Sequence, residues 1–402
     1  MHAVIQMESP APAALPDAAP PPLEASPAVI SVARPNVLVR FVRGIGSGVE
    51  WLFGGLTLAV TLAVFAVVPV LNLLSLGYLL EVSGRVARTG KLRSAFIGFR
   101  QAAVFGRLVL GAWLMMLPVR FVSGMWRDAE LIAPGSGPAA GWRVALFILT
   151  VLTAWHIVWA CLRGGKLRHF LWPAPLKFIR WLRQGGQYES ARNAVLGYLA
   201  RLRLPHYLKL GGVGFVGAVA WLIVPVGILI LGSLLPPGGG VLLGLLGGGL
   251  LMLVALHLPF LQAHYAVEGR FGALFELGAV RKLFRRAPVA FWFALLITLL
   301  FSLPLYLLKI EFPPREIAWL PSLFFILFIF PARVLTGWAV SRALRHEEPR
   351  HWFFRWTARL GAIPIVWFYA LIVYLTQYLS WHGALSLLEQ HAFLVPAPML
   401  SM

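Results

Sequence analysis

Eight stretches of this chain are too long and too apolar to be the core elements of a water-soluble domain. Residues 51–80, 108–126, 144–162, 210–235, 241–265, 289–308, 317–340 and 360–381 run almost without charge. A hydrocarbon layer of about 30 Å is crossed by about 20 helical residues rising about 1.5 Å each, which is the length of such runs. They are continuously apolar, whereas the strands of a membrane barrel alternate lipid-facing and lumen-facing residues over about 10 positions. The expected fold is therefore all-α: a polytopic transmembrane helical bundle of about eight spans. Composition agrees, since 59% of residues are hydrophobic and 12% charged, too little charge to cover a soluble surface.

The sparse charge is placed unevenly. There are 35 Lys and Arg against 15 Asp and Glu, a net charge of +20. Segment 81–107 carries Arg85, Arg88, Lys91, Arg93, Arg100 and Arg107 against Glu81 alone, and 163–209 carries ten basic residues against Glu189. Segments 266–288 and 341–359 are also basic, while 127–142, 236–240 and 309–316 are short and nearly neutral. Basic loops stay on the cytoplasmic side, so this alternation predicts a bacterial inner-membrane protein with its C-terminus outside. It also accounts for the positive charge without nucleic acid as a partner. The run at 51–80 is long for one crossing, and Pro69 and Asn72 lie within it. A single kinked span, the reading adopted, puts residues 1–50 outside; a hairpin is the alternative.

Residues 1–35 hold eight prolines and nine alanines with few large apolar side chains, a composition that cannot bury a core. The chain thus divides into a disordered Pro/Ala-rich tail and lead-in, 1–50, and a transmembrane domain, 51–402. Within the latter, Pro69-Val-Leu-Asn72, Tyr78-Leu-Leu-Glu81 and Gly84-Arg85 are echoed by Pro259-Phe-Leu-Gln262, Tyr265-Ala-Val-Glu268 and Gly269-Arg270. An offset of four spans keeps orientation and predicts two parallel repeats. A rival echo, Pro118-Val-Arg120 through Gly124 against Pro331-Ala-Arg333 through Gly337, joins spans of opposite direction. The Pro-x-Leu-Asn and Gly-Tyr-x-x-Glu stretch with its basic flank resembles an uncharacterised bacterial family of multi-span membrane proteins. That resemblance implies a membrane location and nothing about activity.

Candidate chemistry is thin. A charged group at the centre of a span costs about 2.5–3.5 kcal/mol on insertion scales, so embedded ions are functional candidates. Every carboxylate lies at a span end, in a loop or in the tail, which disfavours proton- or sodium-coupled transport. Asp17 and Asp128 are the only aspartates, and no phosphate-binding loop or nucleophile elbow is present. The Gly44–Gly48 string reads as flexible lead-in. His346 and His351 are five apart with Pro349 between them, a poor metal pair. His257 and His264 share a helix face, and with His156 they offer a metal or haem site or, more simply, bonds to nearby backbone. Cys161 alone permits neither a disulfide framework nor a cysteine cage. No metal and no cofactor is expected.

Arg120 and Arg333 each follow a proline inside an apolar run, where a guanidinium can grip an anionic headgroup or phosphate or can snorkel to the interface. Lys177, Arg180 and Arg183 recur every third residue beside Leu176, Ile179 and Leu182, as in a helix lying on anionic lipid. Gly240, Gly244 and Gly248, with Gly214 and Ala218, predict close packing of the fourth and fifth spans. The expected role is non-enzymatic: the protein organises membrane lipid, anionic lipid in particular, or scaffolds a membrane complex. Transport of a small or anionic solute is the alternative. Tyr78, Glu81, Tyr265 and Glu268 are expected at equivalent places in the repeats, and nothing in the sequence identifies a protein partner.

Overall fold

In a computed structural model the chain is described over residues 37–183, 187–303, 319–379 and 383–389. The described residues are helical and contain no strand. The helices are α1 (Val37–Val67), α2 (Asn72–Thr89), α3 (Phe99–Ile132), α4 (Gly137–Leu162), α5 (Leu167–Leu171), α6 (Pro175–Arg183), α7 (Gln187–Leu202), α8 (Leu204–Ser233), α9 (Pro237–Glu268), α10 (Leu277–Arg286), α11 (Pro288–Leu300), α12 (Trp319–Leu344), α13 (Trp352–Thr376) and α14 (Ser386–Glu389). Two compact units are distinguished, 1–46 and 47–402; of the first, the described part is the opening of α1.

Among the described residues seven helices, α1, α3, α4, α8, α9, α12 and α13, are long and apolar enough to cross a bilayer. The pair α10–α11, bent by 112°, brings the number to eight if it counts as a broken span. The protein is thus an all-α, multi-pass membrane bundle. Prolines lie inside α3, α8, α9, α12 and α13 without ending them, as packed membrane helices allow.

The run at 51–80 is not one span. Helix α1 stops at Val67, the chain turns through Val68–Leu71, and α2 begins at Asn72. Val70 is left-handed at φ 69°, an uncommon place for a β-branched residue and the mark of an enforced turn. Ser75 Oγ donates to the Leu62 carbonyl at 2.8 Å. Thirteen residues of straight helix would separate these by about 20 Å, so α2 folds back along α1. The single-span reading of 51–80 is corrected accordingly to the hairpin. Trp51 packs on Phe96 and Phe99, at ring-centroid distances of 5.0 and 5.1 Å, and Glu50 pairs with Arg107 at 3.0 Å. Trp51 therefore sits beside the basic segment that follows α2. Further corrections are small: helix begins at Val37, inside the segment expected to be disordered, Gly44–Gly48 is helical, and the 127–142 and 236–240 loops are mostly helix. Residues 1–35 and 309–316 lie outside the described residues.

Helix α2 is the strut around which the bundle is assembled. Fourteen of its 18 residues are buried, and α8, α9 and α12 pack on it. Association of membrane helices gains little from the hydrophobic effect and depends on close fit. Here the fit uses glycine. A methyl on Gly77 would fall on the Tyr207 carbonyl of α8, one on Gly84 would lie 2.7 Å from the Ala266 carbonyl of α9, and one on Gly337 of α12 would strike the Ser83 carbonyl of α2.

The predicted α8–α9 contact is present through partly different residues. Gly232 faces Gly240 and Leu243, and Gly247 faces Leu229; Gly244 instead meets Tyr374 of α13, and Gly248 meets nothing within 4 Å. Gly214 faces Leu80 and Tyr265. Helix α4 packs on α3 and α5, and α3 packs also on α1, where Gly54 meets Phe99 and Gly106 meets Thr57. Only 17% of the most apolar window of α4 is buried, against 44% for α12; α4 is peripheral and α12 central.

Candidate functional site

Helix reversals bring the four basic segments to one end of the bundle. Glu81 on α2 reaches His206 on α8, and Arg88 donates to the Ala266 carbonyl on α9 at 2.6 Å. The Arg350 N–H donates to the Arg285 carbonyl at 2.9 Å, and the Arg345 guanidinium lies against Gly90. Tyr198 of α7 donates to the Gln101 carbonyl at 3.2 Å. Sequence alternation and three-dimensional placement agree on this basic end.

Glu81 is its best-satisfied charge. The side chain is 6% exposed and takes hydrogen bonds from Arg85 Nε at 3.1 Å and Arg88 Nη2 at 3.0 Å, with His206 Nε2 at 3.3 Å from its other oxygen. A buried carboxylate is tolerated when its lone pairs are filled in this way. Tyr78 lies on the same helix, donates to the Ile97 carbonyl at 3.1 Å and packs edge-on against Tyr207 at 5.8 Å. The cluster joins α2, α8, α9 and the start of α3. Its charges are consumed internally.

A second, exposed cluster follows α9. His264 Nε2 lies 3.0 Å from Glu276 Oε2, and Arg270 Nη2 lies 3.1 Å from Glu276 Oε1 and 3.6 Å from Glu268. The His264 hydrogen bond, with Arg270 adding to it, holds the Glu276 carboxyl below the usual glutamate range. Tyr265 is buried and donates to the Leu210 carbonyl at 3.5 Å.

Helices α2 and α9 both run toward the basic end, and their ends are alike. Each closes on a left-handed glycine, Gly90 (φ 68°) and Gly269 (φ 72°), bonded back at 2.8 Å to the Val86 and Tyr265 carbonyls. Then comes one extended basic residue, Lys91 or Arg270, and a 3₁₀ turn, Leu92–Ala95 or Phe271–Phe275. Glycine is favoured at these caps because it adopts positive φ without steric cost. Tyr78 stands 12 residues before its cap and Tyr265 four.

Helix α6 is tied to the end of α4 by an aromatic group, Trp155, Trp159, Phe178 and Trp181, with centroids 5.1–6.0 Å apart. Trp159 Nε1 donates to the Pro173 carbonyl at 2.8 Å, Arg163 donates to the Trp172 carbonyl at 2.7 Å, and His156 bonds the Phe170 carbonyl. This leaves Leu171, Trp172, Leu176 and Ile179 exposed at 73, 70, 71 and 47%, together with Lys177, Arg180 and Arg183. Burial, then the charges of Arg163, Arg168, Lys166 and Lys177, push His169 below the ordinary histidine range. The local field is positive.

Arg120 and Arg333 are not brought together. Arg120 is exposed on α3, whereas Arg333 is 4% exposed on α12, about 17 Å along the helix from its basic end. Among the described residues the Arg333 guanidinium has no hydrogen-bonding or ion-pair partner; its backbone carbonyl accepts from Thr336. The Pro-x-Arg echo therefore marks two different environments. His257 bonds the Leu253 carbonyl at 2.8 Å, so neither it nor His156 shares a site with His264. Among the described residues no three His, Cys, Asp or Glu side chains are grouped to hold a metal. Cys161 is exposed.

The reading by sequence missed one arrangement altogether. Arg286 at the end of α10, Arg342 and His346 at the end of α12, and Arg350 in the loop before α13 line one cavity of about 150 Å³, with the first residues of α11 and Phe354 completing its wall.

Comparison of the chain with protein-family models, with curated proteins and with solved structures finds no match.

Proposed function

We propose that this membrane protein gathers and orders anionic lipid at its basic end, without a reaction of its own. That end faces the cytoplasm of a bacterial inner membrane, and the C-terminus lies outside. The observation that carries the reading is the composition of the exposed side of α5 and α6. Four large apolar side chains and three cations share a segment whose aromatic residues are already anchored to α4. Apolar residues enter the acyl boundary there while Lys177, Arg180 and Arg183 remain among the headgroups, each contributing about 1 kcal/mol near an anionic surface.

The test is the lipid shell carried by protein extracted from its membrane in polymer-bounded discs. The ratio of phosphatidylglycerol to phosphatidylethanolamine in the shell should exceed that of the whole membrane, and K177E/R180E/R183E should bring it down to the bulk value. A wild-type ratio equal to bulk overturns the reading.

A second reading rests on Arg333. A guanidinium buried at mid-depth without a partner among the described residues is suited to meeting an anionic solute in passage. Anion flux in proteoliposomes that is lost in Arg333→Gln would favour transport over lipid ordering.

A further inference from the structure

The cavity between α10, α11, α12 and the loop before α13 has the donor set of a phosphate site. Its lining residues include three arginines, Arg286, Arg342 and Arg350, and His346, with no carboxylate among them. Among the described residues none of the three arginines pairs with a carboxylate; the ion pairs of this end involve Arg85, Arg88, Arg107 and Arg270. The neighbouring Glu347 and Glu348 are exposed and outside the lining. Three uncompensated cations around one small cavity repel one another, and that cost is relieved by an anion placed among them.

The backbone adds to this. Helix α11 starts at the sharp bend after Arg286, and its N-cap, Ala287, has no side chain able to bond the first turn. Phe291 N–H is the first to find a backbone acceptor, the Ala287 carbonyl at 3.1 Å. Among the described residues the Val289 and Ala290 N–H groups, both in the cavity wall, donate to no backbone oxygen outside the helix. Free N–H groups and the positive end of the helix dipole favour an oxyanion at this point. The Arg350-to-Arg285 backbone bond holds the loop against α10, so Arg350 and Arg286 are positioned from adjoining chain segments. Arg342 lies 5.4 Å from the Trp338 ring centroid, a contact that limits its rotamers and leaves its donors free.

We infer that this cavity binds a phosphate group. Its volume of about 150 Å³ is below the roughly 300–1,000 Å³ of sites that enclose whole small molecules and suits a single group such as phosphate. A guanidinium fork pairs with either carboxylate or phosphate, but a phosphate has more oxygens to share among three arginines than a carboxylate has. Phe354 forms one wall, and Trp352, Phe353 and Trp356 are exposed at 57, 53 and 54% on the first turn of α13. Such aromatic groups sit at the level of lipid headgroups. A phosphate carried by a lipid would thus have its glycerol and upper acyl chains against them. The inference deepens the lipid-ordering reading by naming the group held, at a place distinct from α6, and in that respect rests on it.

Native mass spectrometry of the full chain in detergent tests it, with dioctanoyl phosphatidylglycerol, dioctanoylglycerol and inorganic phosphate as probes. One phosphatidylglycerol should bind per chain, and dioctanoylglycerol, which lacks the phosphate, at least tenfold more weakly. R286A/R342A should weaken phosphatidylglycerol at least tenfold, whereas R286K/R342K, which keeps charge and loses the forks, should weaken it about threefold. Thermal unfolding run in parallel identifies a variant that has failed to fold, and the Lys pair supplies the second variant. Displacement of the lipid by millimolar inorganic phosphate assigns the site to free phosphate, and no displacement assigns it to a headgroup; either supports a phosphate site. Equal binding of the two lipids, or unchanged binding in folded R286A/R342A, overturns it. The two readings fail separately: a lipid shell without anionic enrichment removes lipid ordering by α6 and leaves this one-to-one site standing, and the converse result removes the site alone.

Discussion

Two groups of arginines lie at the same end of this bundle and are used in opposite ways. Around Glu81 the cations are paired: Arg85 and Arg88 converge on one buried carboxylate, to which His206 is also hydrogen-bonded, and the second arm of Arg88 is taken by a backbone carbonyl of α9. Around the α10–α11 bend three arginines have no carboxylate partner among the described residues, and they line one cavity together with a helix N-terminus. The first arrangement stabilises the fold and presents nothing to a ligand. The second leaves three arginines without an acidic partner around one cavity. Net charge alone does not distinguish a structural cation from a binding one; the presence of a carboxylate within reach does.

The comparison can be broken most severely at the strut itself. Gly77→Val places side-chain atoms onto the Tyr207 carbonyl. Overpacking costs about 1–3 kcal/mol even where neighbours can shift, and a backbone carbonyl has little room to do so. Folded yield should collapse, whereas Gly248→Val, facing nothing within 4 Å, should behave as wild type in fluorescence-detected size exclusion. Equal yields would show that α2 is not closely packed.

Next in size is Glu81→Gln, which leaves two guanidiniums facing a neutral amide. Breaking a fully buried pair costs about 3–5 kcal/mol. Arg85 and Arg88 keep 36 and 39% of their side-chain surface exposed, so solvent screening reduces the expected loss to about 2 kcal/mol. A fall in Tm of several degrees in the same detergent checks it, and no change would mean the cluster is held by packing alone.

How much of this was legible in sequence follows from what one dimension records. Run length and loop charge marked the long apolar helices and gathered the basic segments, because both are local properties, but run length did not separate α2 from α1. Helix α2 was hidden because its apolar residues continue those of α1 without interruption. The available signal was Pro69 and Asn72 followed by Ser75, Gly77, Ser83 and Gly84, small and polar positions suited to a helix surrounded by protein. The Lys177–Arg183 segment was read as a helix from its spacing, and it forms α6. The arginine cavity was not legible: Arg286 and Arg342 are distant in sequence and are joined only by the packing of α10 and α11 against α12. The shared cap after α2 and α9 concerns backbone angles, visible in sequence only as Gly90-Lys91 and Gly269-Arg270.

The smallest expected effect concerns the exposed cluster after α9. Glu276 has its folded pKa depressed, first by His264 and then by Arg270. Its contribution to stability is therefore fully present above the unfolded value of about 4.3 and is lost as pH falls through the lower folded value. Thermal unfolding from pH 6 to pH 3 should fall less steeply in Glu276→Gln than in wild type below about pH 4.5. Parallel curves would place the acid sensitivity elsewhere.

The most direct test of the division between structural and binding cations measures stability and lipid occupancy on the same three proteins: wild type, E81Q and R286A/R342A. Tm is followed by intrinsic fluorescence and bound dioctanoyl phosphatidylglycerol by native mass spectrometry. The account predicts that E81Q lowers Tm and keeps its bound lipid below the new Tm, while R286A/R342A keeps or raises Tm and loses lipid at least tenfold. If both variants lose stability and lipid together, or if E81Q loses the lipid while remaining folded, the two clusters are not separate devices and the account is contradicted.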